Sequence, residues 1–96
     1  MKKIKTNGLI TSVGDKVLPD DEGEKDVLIL DEKHFKFGFL NVAYSNVQHA
    51  EIIAEGPLLF KKYYLVATDD KRRYQFGPFQ SKGFLLKLPL PFDGKK

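Results

Sequence analysis

The sequence predicts a mainly β domain, a small bent β-sandwich or partly open barrel with a short C-terminal helical turn or an extended tail. Segments rich in aromatic and β-branched residues recur along the chain between turn-forming residues, as they do in small all-β domains. Within one segment, Phe35, Phe37 and Phe39 occupy every second position, which is the period of a strand with one buried face. A chain of 96 residues has room for a single domain over residues 1–96.

The N-terminal part of the chain predicts a strand, an acidic loop and a second strand. The first strand covers residues 3–13, in which Asn7 and Gly8 make either a tight turn or a bulge within a bent strand. Residues 14–26 combine Pro, Gly and a run of acidic side chains with almost nothing to bury, so we expect an exposed, mobile loop. Residues 26–30 are a short apolar run that is typical of a buried strand.

The middle of the chain predicts further strands. Residues 34–44 form two of them, because Val42 and Tyr44 resume the alternation of buried positions after a shift of one place. A turn or bulge within residues 38–41 separates these two strands. Residues 45–56 predict a short turn that leads into a strand.

A charged hairpin follows Pro57, which ends the preceding strand. Its arms are residues 58–68 and 73–76, both rich in residues that fit a pleated surface. Asp69 and Asp70 form the turn between the two arms.

The C-terminal segment, residues 80–96, leaves room for at most one or two helical turns, because Gly and Pro interrupt it. Its apolar side chains must be shielded from water. They either close the open end of the sheet or dock on a partner protein or a second copy of the chain. The side chains that would form such a docking surface are Phe84, Leu86, Leu88, Leu90 and Phe92.

Basic residues near the hairpin turn suggest a different kind of site. Interleaved with Tyr74 and Phe76, they would pair with phosphates and stack on bases, so one hypothesis is a polyanion-binding surface for nucleic acid or an anionic membrane. In the other interpretation, which we favour, both aromatic side chains point inward, Arg73 and Gln75 point outward, and the charges protect a sheet edge. The residues of the polyanion hypothesis are Lys61, Lys62, Lys71, Arg72 and Arg73, with Lys2, Lys3 and Lys5 as further candidates.

Three stretches of the chain resemble bacterial pleckstrin-homology-like domains and the related GRAM domains. They are "DVLILDEKHFKFG", "VAYSNVQHAEI" and "YYLVATDDKRRYQF", which together span about half of the chain, residues 26–76. The resemblance implies a bent, partly orthogonal β-sandwich that a C-terminal helix closes at one end. The first long loop is acidic here and basic in phosphoinositide-binding relatives, and the tail is a poor copy of the helix. The resemblance therefore supports the fold more than it supports lipid binding.

Composition and motifs limit the chemistry that the chain can perform. Without Cys, neither disulfides nor thiolate metal sites can form, and the chain fits a reducing compartment, so we expect a cytoplasmic protein. No export signal and no apolar run of the roughly 20 residues that span a bilayer is found, so we expect no transmembrane segment. His34, His49 and the acidic run at residues 20–26 lack the spacing of metal ligands.

Enzyme motifs are missing as well, because the chain contains no nucleophile elbow and no phosphate-binding glycine loop. We therefore expect a non-catalytic binding module with no cofactor and no metal. Its partner would be another protein or a second copy of the chain. The alternative is the polyanion-binding domain that uses the basic hairpin.

Overall fold

The computed structural model describes residues 1–14 and 23–92. Over these residues the chain forms seven antiparallel strands that curl into a half-barrel, and one short helical turn, which confirms the mainly β fold class. A 3-10 turn, Tyr44–Asn46, lies between the fourth and fifth strands, and helix α1, Gly83–Leu86, follows the last strand. The strands are β1 (Lys2–Ser12), β2 (Glu24–Leu30), β3 (His34–Phe37), β4 (Leu40–Ala43), β5 (His49–Glu55), β6 (Lys62–Thr68) and β7 (Arg72–Phe79).

The strands form a single sheet in the order β4-β3-β2-β1-β7-β6-β5. Strand β1 lies at the centre, and it pairs with β2 from Lys2 to Gly8 and with β7 from Asn7 to Ser12. The two edge strands, β4 and β5, follow each other in the chain with only residues 44–48 between them. The curled sheet therefore has its two edges joined by a short connection, and β1 is the strand that its two halves share.

Gly8 lies where β1 changes partners, opposite Glu24 on one side and Phe76 on the other. The tight turn that we considered at Asn7 and Gly8 is wrong, because β1 runs through both residues without interruption. A Cβ atom at Gly8 would lie 2.5 Å from the ring of Phe37. The glycine thus provides room for a core ring against the backbone, and it does not reverse the chain.

The predicted acidic loop is shorter than expected where the structure describes it. Strand β2 begins at Glu24, so Glu24 and Asp26 are strand residues, although the sequence placed them in the loop. Glu24 pairs with Gly8 and Asp26 pairs with Thr6, which gives their backbones strand partners while their side chains stay exposed. The prediction of a mobile acidic loop otherwise falls on residues 15–22, which lie outside the described residues.

The predicted separation of residues 34–44 into two strands is confirmed, and the prediction that Phe39 is buried is wrong. Phe37 pairs with Leu40 across a two-residue turn, so the alternation of buried side chains ends at Phe37. Gly38 has a φ of +59°, as the first central position of a type II′ hairpin turn requires. Phe39 occupies the second central position and is fully exposed.

The core forms between the inner faces of the two halves of the sheet. The ring of Phe35 on β3 meets Tyr74 and Phe76 on β7 edge to face, with each pair of ring centroids 5.5 Å apart. Strands β2 and β1 separate β3 from β7 within the sheet, so these contacts cross the interior of the half-barrel. The buried positions of both β7 rings confirm the inward orientation that the sequence analysis favoured.

The C-terminal tail covers the core, which was one of the two expected roles for it. Leu85 on α1 is completely buried, and Leu90 and Phe92 are also buried within the core cluster. The tail also reaches the edge of β5, where the backbone N–H of Ala50 donates a hydrogen bond to the carbonyl of Pro91 at 3.1 Å. Its helix is a single turn, within the predicted limit.

Adding one methyl group at Gly8 tests the close approach of Phe37. We expect Gly8→Ala to lower the free energy of unfolding by about 1–3 kcal/mol, because the new Cβ would force a buried ring to move. Gly83→Ala is the matched control, since nothing lies within 4 Å of a Cβ there. Urea unfolding of both variants measures the difference, and equal stabilities would contradict the proposed contact.

Two neighbouring leucines test whether the tail is part of the core. We expect Leu85→Ala to cost about 2–5 kcal/mol of unfolding free energy, because it leaves a cavity at a fully buried site. Leu86→Ala should cost within about 0.5 kcal/mol, because that side chain is exposed. Thermal unfolding separates the two variants, and similar melting temperatures would show that the tail does not close the core.

Candidate functional site

The five basic residues of the polyanion hypothesis do not form one patch. Lys61 and Lys62 lie at the start of β6, whereas Lys71, Arg72 and Arg73 lie at the turn beyond its other end. At roughly 3.3 Å per strand residue, the length of β6 places the two groups about 20 Å apart. The five charges are close together in the sequence, but in the folded chain β6 separates them into two groups.

The turn between β6 and β7 is organised around the carboxylate of Asp69. Its Oδ1 accepts hydrogen bonds from the backbone N–H groups of Lys71 at 2.9 Å and Arg72 at 2.7 Å. Its Oδ2 accepts a hydrogen bond from the hydroxyl of Tyr74 at 2.7 Å. Burial alone would raise the pKa of Asp69, but these hydrogen bonds hold that pKa below its usual value. A carboxylate therefore sits within the basic turn and offsets part of its charge.

Arg73 is a weaker candidate for an exposed ligand-binding cation than the sequence suggested. Its Nη2 donates a hydrogen bond to Oε1 of Gln75 at 2.9 Å, so the two side chains share the outer face of β7, as expected. Its Nη1 is buried and has no hydrogen-bond partner among the described residues. The exposed cations at this turn are thus Lys71 and Arg72, next to the carboxylates of Asp69 and Asp70.

The five tail residues of the predicted docking surface have different surroundings. Leu90 and Phe92 are buried, and Phe84 and Leu88 are partly buried against the core. The ring of Phe84 lies 5.5 Å from that of Phe79, and the ammonium of Lys2 lies 4.4 Å from its centroid. Of these five residues, Leu86 has the exposed side chain.

The largest run of exposed apolar side chains that the sequence analysis missed lies at the tip of the β5–β6 hairpin. Leu58, Leu59 and Phe60, here called the apolar tip, are 85%, 84% and 74% exposed. The prediction that they begin the next strand is wrong, because β6 starts at Lys62. The signal was present in the sequence, since three apolar residues in a row after Gly56 and Pro57 break the alternation of a half-buried strand.

The conformation of the apolar tip is fixed by its own backbone. The N–H of Phe60 donates a hydrogen bond to the carbonyl of Pro57 at 3.0 Å, which closes a four-residue turn with Leu58 and Leu59 at its centre. Gly56 has a φ of +101°, and a Cβ there would lie 2.8 Å from the carbonyl oxygen of Phe60. The turn thus requires glycine at its base and projects two leucines outward.

Lysines follow the apolar tip in the chain and lie near the base of its hairpin. Lys61 and Lys62 follow it directly, and Lys62 lies opposite Glu55 in the β5–β6 pair. A cleft of about 340 Å³ beside the β5–β6 hairpin is lined by Lys82 and Leu86 of the C-terminal segment together with Tyr63 and Glu51. The ammonium of Lys82 lies 5.8 Å from the centroid of the Tyr63 ring. One end of the molecule therefore combines exposed apolar side chains with lysines from two parts of the chain.

Neither a metal cluster nor a membrane-spanning helix occurs in the described part of the chain. Over residues 1–14 and 23–92, no group of three or more His, Asp or Glu side chains is placed to hold a metal ion. Over the same residues, no helix has the length and apolar character needed to cross a bilayer.

The hydrogen bond between Tyr74 and Asp69 predicts a loss of stability at high pH. Burial, reinforced by the bond to Asp69, raises the pKa of Tyr74 to about 12. The Tyr74 hydroxyl therefore contributes fully to stability below the pKa of about 10 that it has in the unfolded chain. This contribution is lost as pH rises through the pKa of Tyr74 in the folded chain. We expect the unfolding free energy, measured in urea from pH 9 to 12, to fall less steeply in Tyr74→Phe than in the natural chain.

Tyr44 provides an internal comparison for this titration. Burial and the charge of Asp31 raise the pKa of Tyr44 to about 12, and its hydroxyl donates to the backbone carbonyl of Asp31 at 2.9 Å. Part of the alkaline loss should therefore remain in Tyr74→Phe and disappear when Tyr44→Phe is added. Identical slopes in the natural chain and the double variant would contradict the assignment.

Comparison of the chain with protein-family models, with curated proteins and with solved structures finds no match in any of the three. The likeness to pleckstrin-homology-like and GRAM domains consequently stays a prediction from sequence pattern.

Proposed function

We propose that this protein is a non-catalytic binding module and that the apolar tip is its contact surface. The observation that carries the proposal is the exposure of Leu58, Leu59 and Phe60, more than 70% for each side chain. Burying a side chain of this size is worth about 1.5–3 kcal/mol, so leaving three in water forgoes a large stabilisation. None of them belongs to the core cluster that the described residues form, so this exposed apolar surface is the kind that marks a contact site.

The rigidity of the apolar tip supports the same proposal. Binding costs free energy when it must order a flexible loop, and that cost is smaller when the loop is already fixed. The hydrogen bond from Phe60 to Pro57, the restricted φ of Pro57 and the close packing at Gly56 all limit the conformations of the turn. The apolar tip is thus presented to a partner in a preorganised form.

The other two candidate surfaces give the proposal less support. The basic residues of the hairpin form two separate groups, and Asp69 and Asp70 stand beside one of them. The tail residues mostly contact the core, which leaves Leu86 as their exposed member, next to the cleft near the apolar tip. A binding partner would therefore meet the apolar tip more readily than the tail.

Replacing the three side chains of the apolar tip tests whether they contribute to the stability of the fold. We expect the triple variant Leu58→Ser, Leu59→Ser, Phe60→Ser to lose at most about 1.5 kcal/mol of unfolding free energy, because exposed substitutions each change stability by about 0.5 kcal/mol or less. For a domain of this size, that loss lowers the melting temperature by about 12 °C at most. Leu85→Ala is the comparison that should melt at a much lower temperature. A triple variant as unstable as Leu85→Ala would mean that the apolar tip is structural, and the proposal would fail.

The binding role itself can be tested by photo-cross-linking in living cells. A photoreactive amino acid at position 59 should form adducts with a partner, whereas one at position 39 should not, although Phe39 is at least as exposed. The adducts from position 59 should disappear when Leu58→Ser and Phe60→Ser are added. Equal adduct formation at both positions would show that the apolar tip is an ordinary exposed loop.

A further inference from the structure

We infer that the partner of the apolar tip is an anionic membrane surface, into which Leu58, Leu59 and Phe60 insert while nearby lysines contact the lipid headgroups. This inference rests on the proposed function, because it names the partner of the same surface. It shares Lys61 and Lys62 with the polyanion hypothesis drawn from the sequence. It differs from that hypothesis because the apolar tip, and not the hairpin turn with Tyr74 and Phe76, is the part that contacts the membrane.

The shape and chemistry of the apolar tip suit a bilayer interface. Its three side chains carry no charge and no hydrogen-bonding group, and they project from the end of a hairpin. A bilayer accepts such a projection without a complementary pocket, since apolar side chains need only reach the boundary between headgroups and acyl chains, about 5–10 Å deep. Pro57 has no N–H and accepts the hydrogen bond of Phe60, so the turn carries fewer free polar backbone groups into that layer.

The charges around the apolar tip complement anionic lipids. Lys61 and Lys62 follow the apolar tip in the chain, and Lys82 joins them from the C-terminal segment at the adjoining cleft. Lysine stems lie along apolar surface while their ammonium groups remain at headgroup level. Two acidic side chains lie in the same region, Glu55 opposite Lys62 and Glu51 at the cleft, so the three lysines leave an excess of one positive charge.

Tyr63 adds a second feature that suits the membrane interface. Its ring is half-buried beside Lys82, one residue beyond Lys62 at the base of the hairpin. Tyrosine is enriched at the interface between membrane and water, because its ring is apolar and its hydroxyl is polar. Along the β6 arm of the hairpin, the order is therefore apolar at the end, then cationic, then amphipathic, which follows the change in polarity from acyl chains to water.

Tryptophan fluorescence provides the first test, because the chain contains no Trp and a substituted one is the sole indole. We expect the emission of Leu59→Trp to shift to shorter wavelength on vesicles of phosphatidylcholine and phosphatidylserine, and to be quenched by lipids brominated in the acyl chains. Phe39→Trp is the matched control, since it is an exposed aromatic position in the β3–β4 turn, and its emission should not change.

Vesicle co-sedimentation then separates the two contributions. Lys61→Ala with Lys62→Ala should weaken binding to the anionic vesicles by roughly tenfold or more at low salt, and the serine triple variant should reduce it to background. Vesicles of phosphatidylcholine alone should bind the natural chain much more weakly. Equal binding to neutral and anionic vesicles would overturn the role of the lysines.

The outcomes distinguish this inference from the proposed function. If Leu59→Trp shows no shift on anionic vesicles even at low salt, the membrane inference is overturned. In that case, cross-links from position 59 to a protein or to a second copy of the chain would still uphold the proposed function. If the vesicles bind the serine triple variant as well as the natural chain, the lipid contact lies elsewhere on the molecule, and the membrane inference is overturned. The proposed function fails separately, if positions 59 and 39 form adducts equally.

Discussion

The fold depends on β1 being hydrogen-bonded to two neighbours at once around Gly8. At this residue β1 is still paired with β2 and already paired with β7, so it fixes the register of both halves of the sheet. The ring of Phe37 lies against Gly8, which ties the β3–β4 hairpin to the same point. From this arrangement follow the edge-to-face contacts of Phe35 with Tyr74 and Phe76, since those rings meet only if both halves curl around a common strand.

The sequence was sufficient to predict features that depend on alternation within one strand. Phe35 and Phe37 were placed on a buried face, and the inward orientation of Tyr74 and Phe76 followed from the same period of two. Alternation does not report where a hairpin turns. Phe39 continues the pattern by position alone, and it is exposed because Gly38 reverses the chain immediately before it.

Features that depend on contacts between distant segments could not be predicted from the sequence. The need for glycine at position 8 arises from a ring that is 29 positions away in the chain, and no local pattern reports it. The five basic residues looked like one group because a linear sequence does not show that β6 places its ends far apart. Lys82 lies near Tyr63, at the base of the hairpin that carries the apolar tip, only in the folded chain.

The bond between the tail and β5 has a consequence for how the molecule avoids its own aggregation. Strand β5 is an edge of the sheet, and the N–H of Ala50 points away from β6 toward the carbonyl of Pro91. An unpaired edge is a template on which strands of other molecules assemble. Because the tail occupies the edge at this position, a strand of another molecule cannot pair with β5 there. The segment that covers the core therefore also blocks strand pairing at this point of the β5 edge.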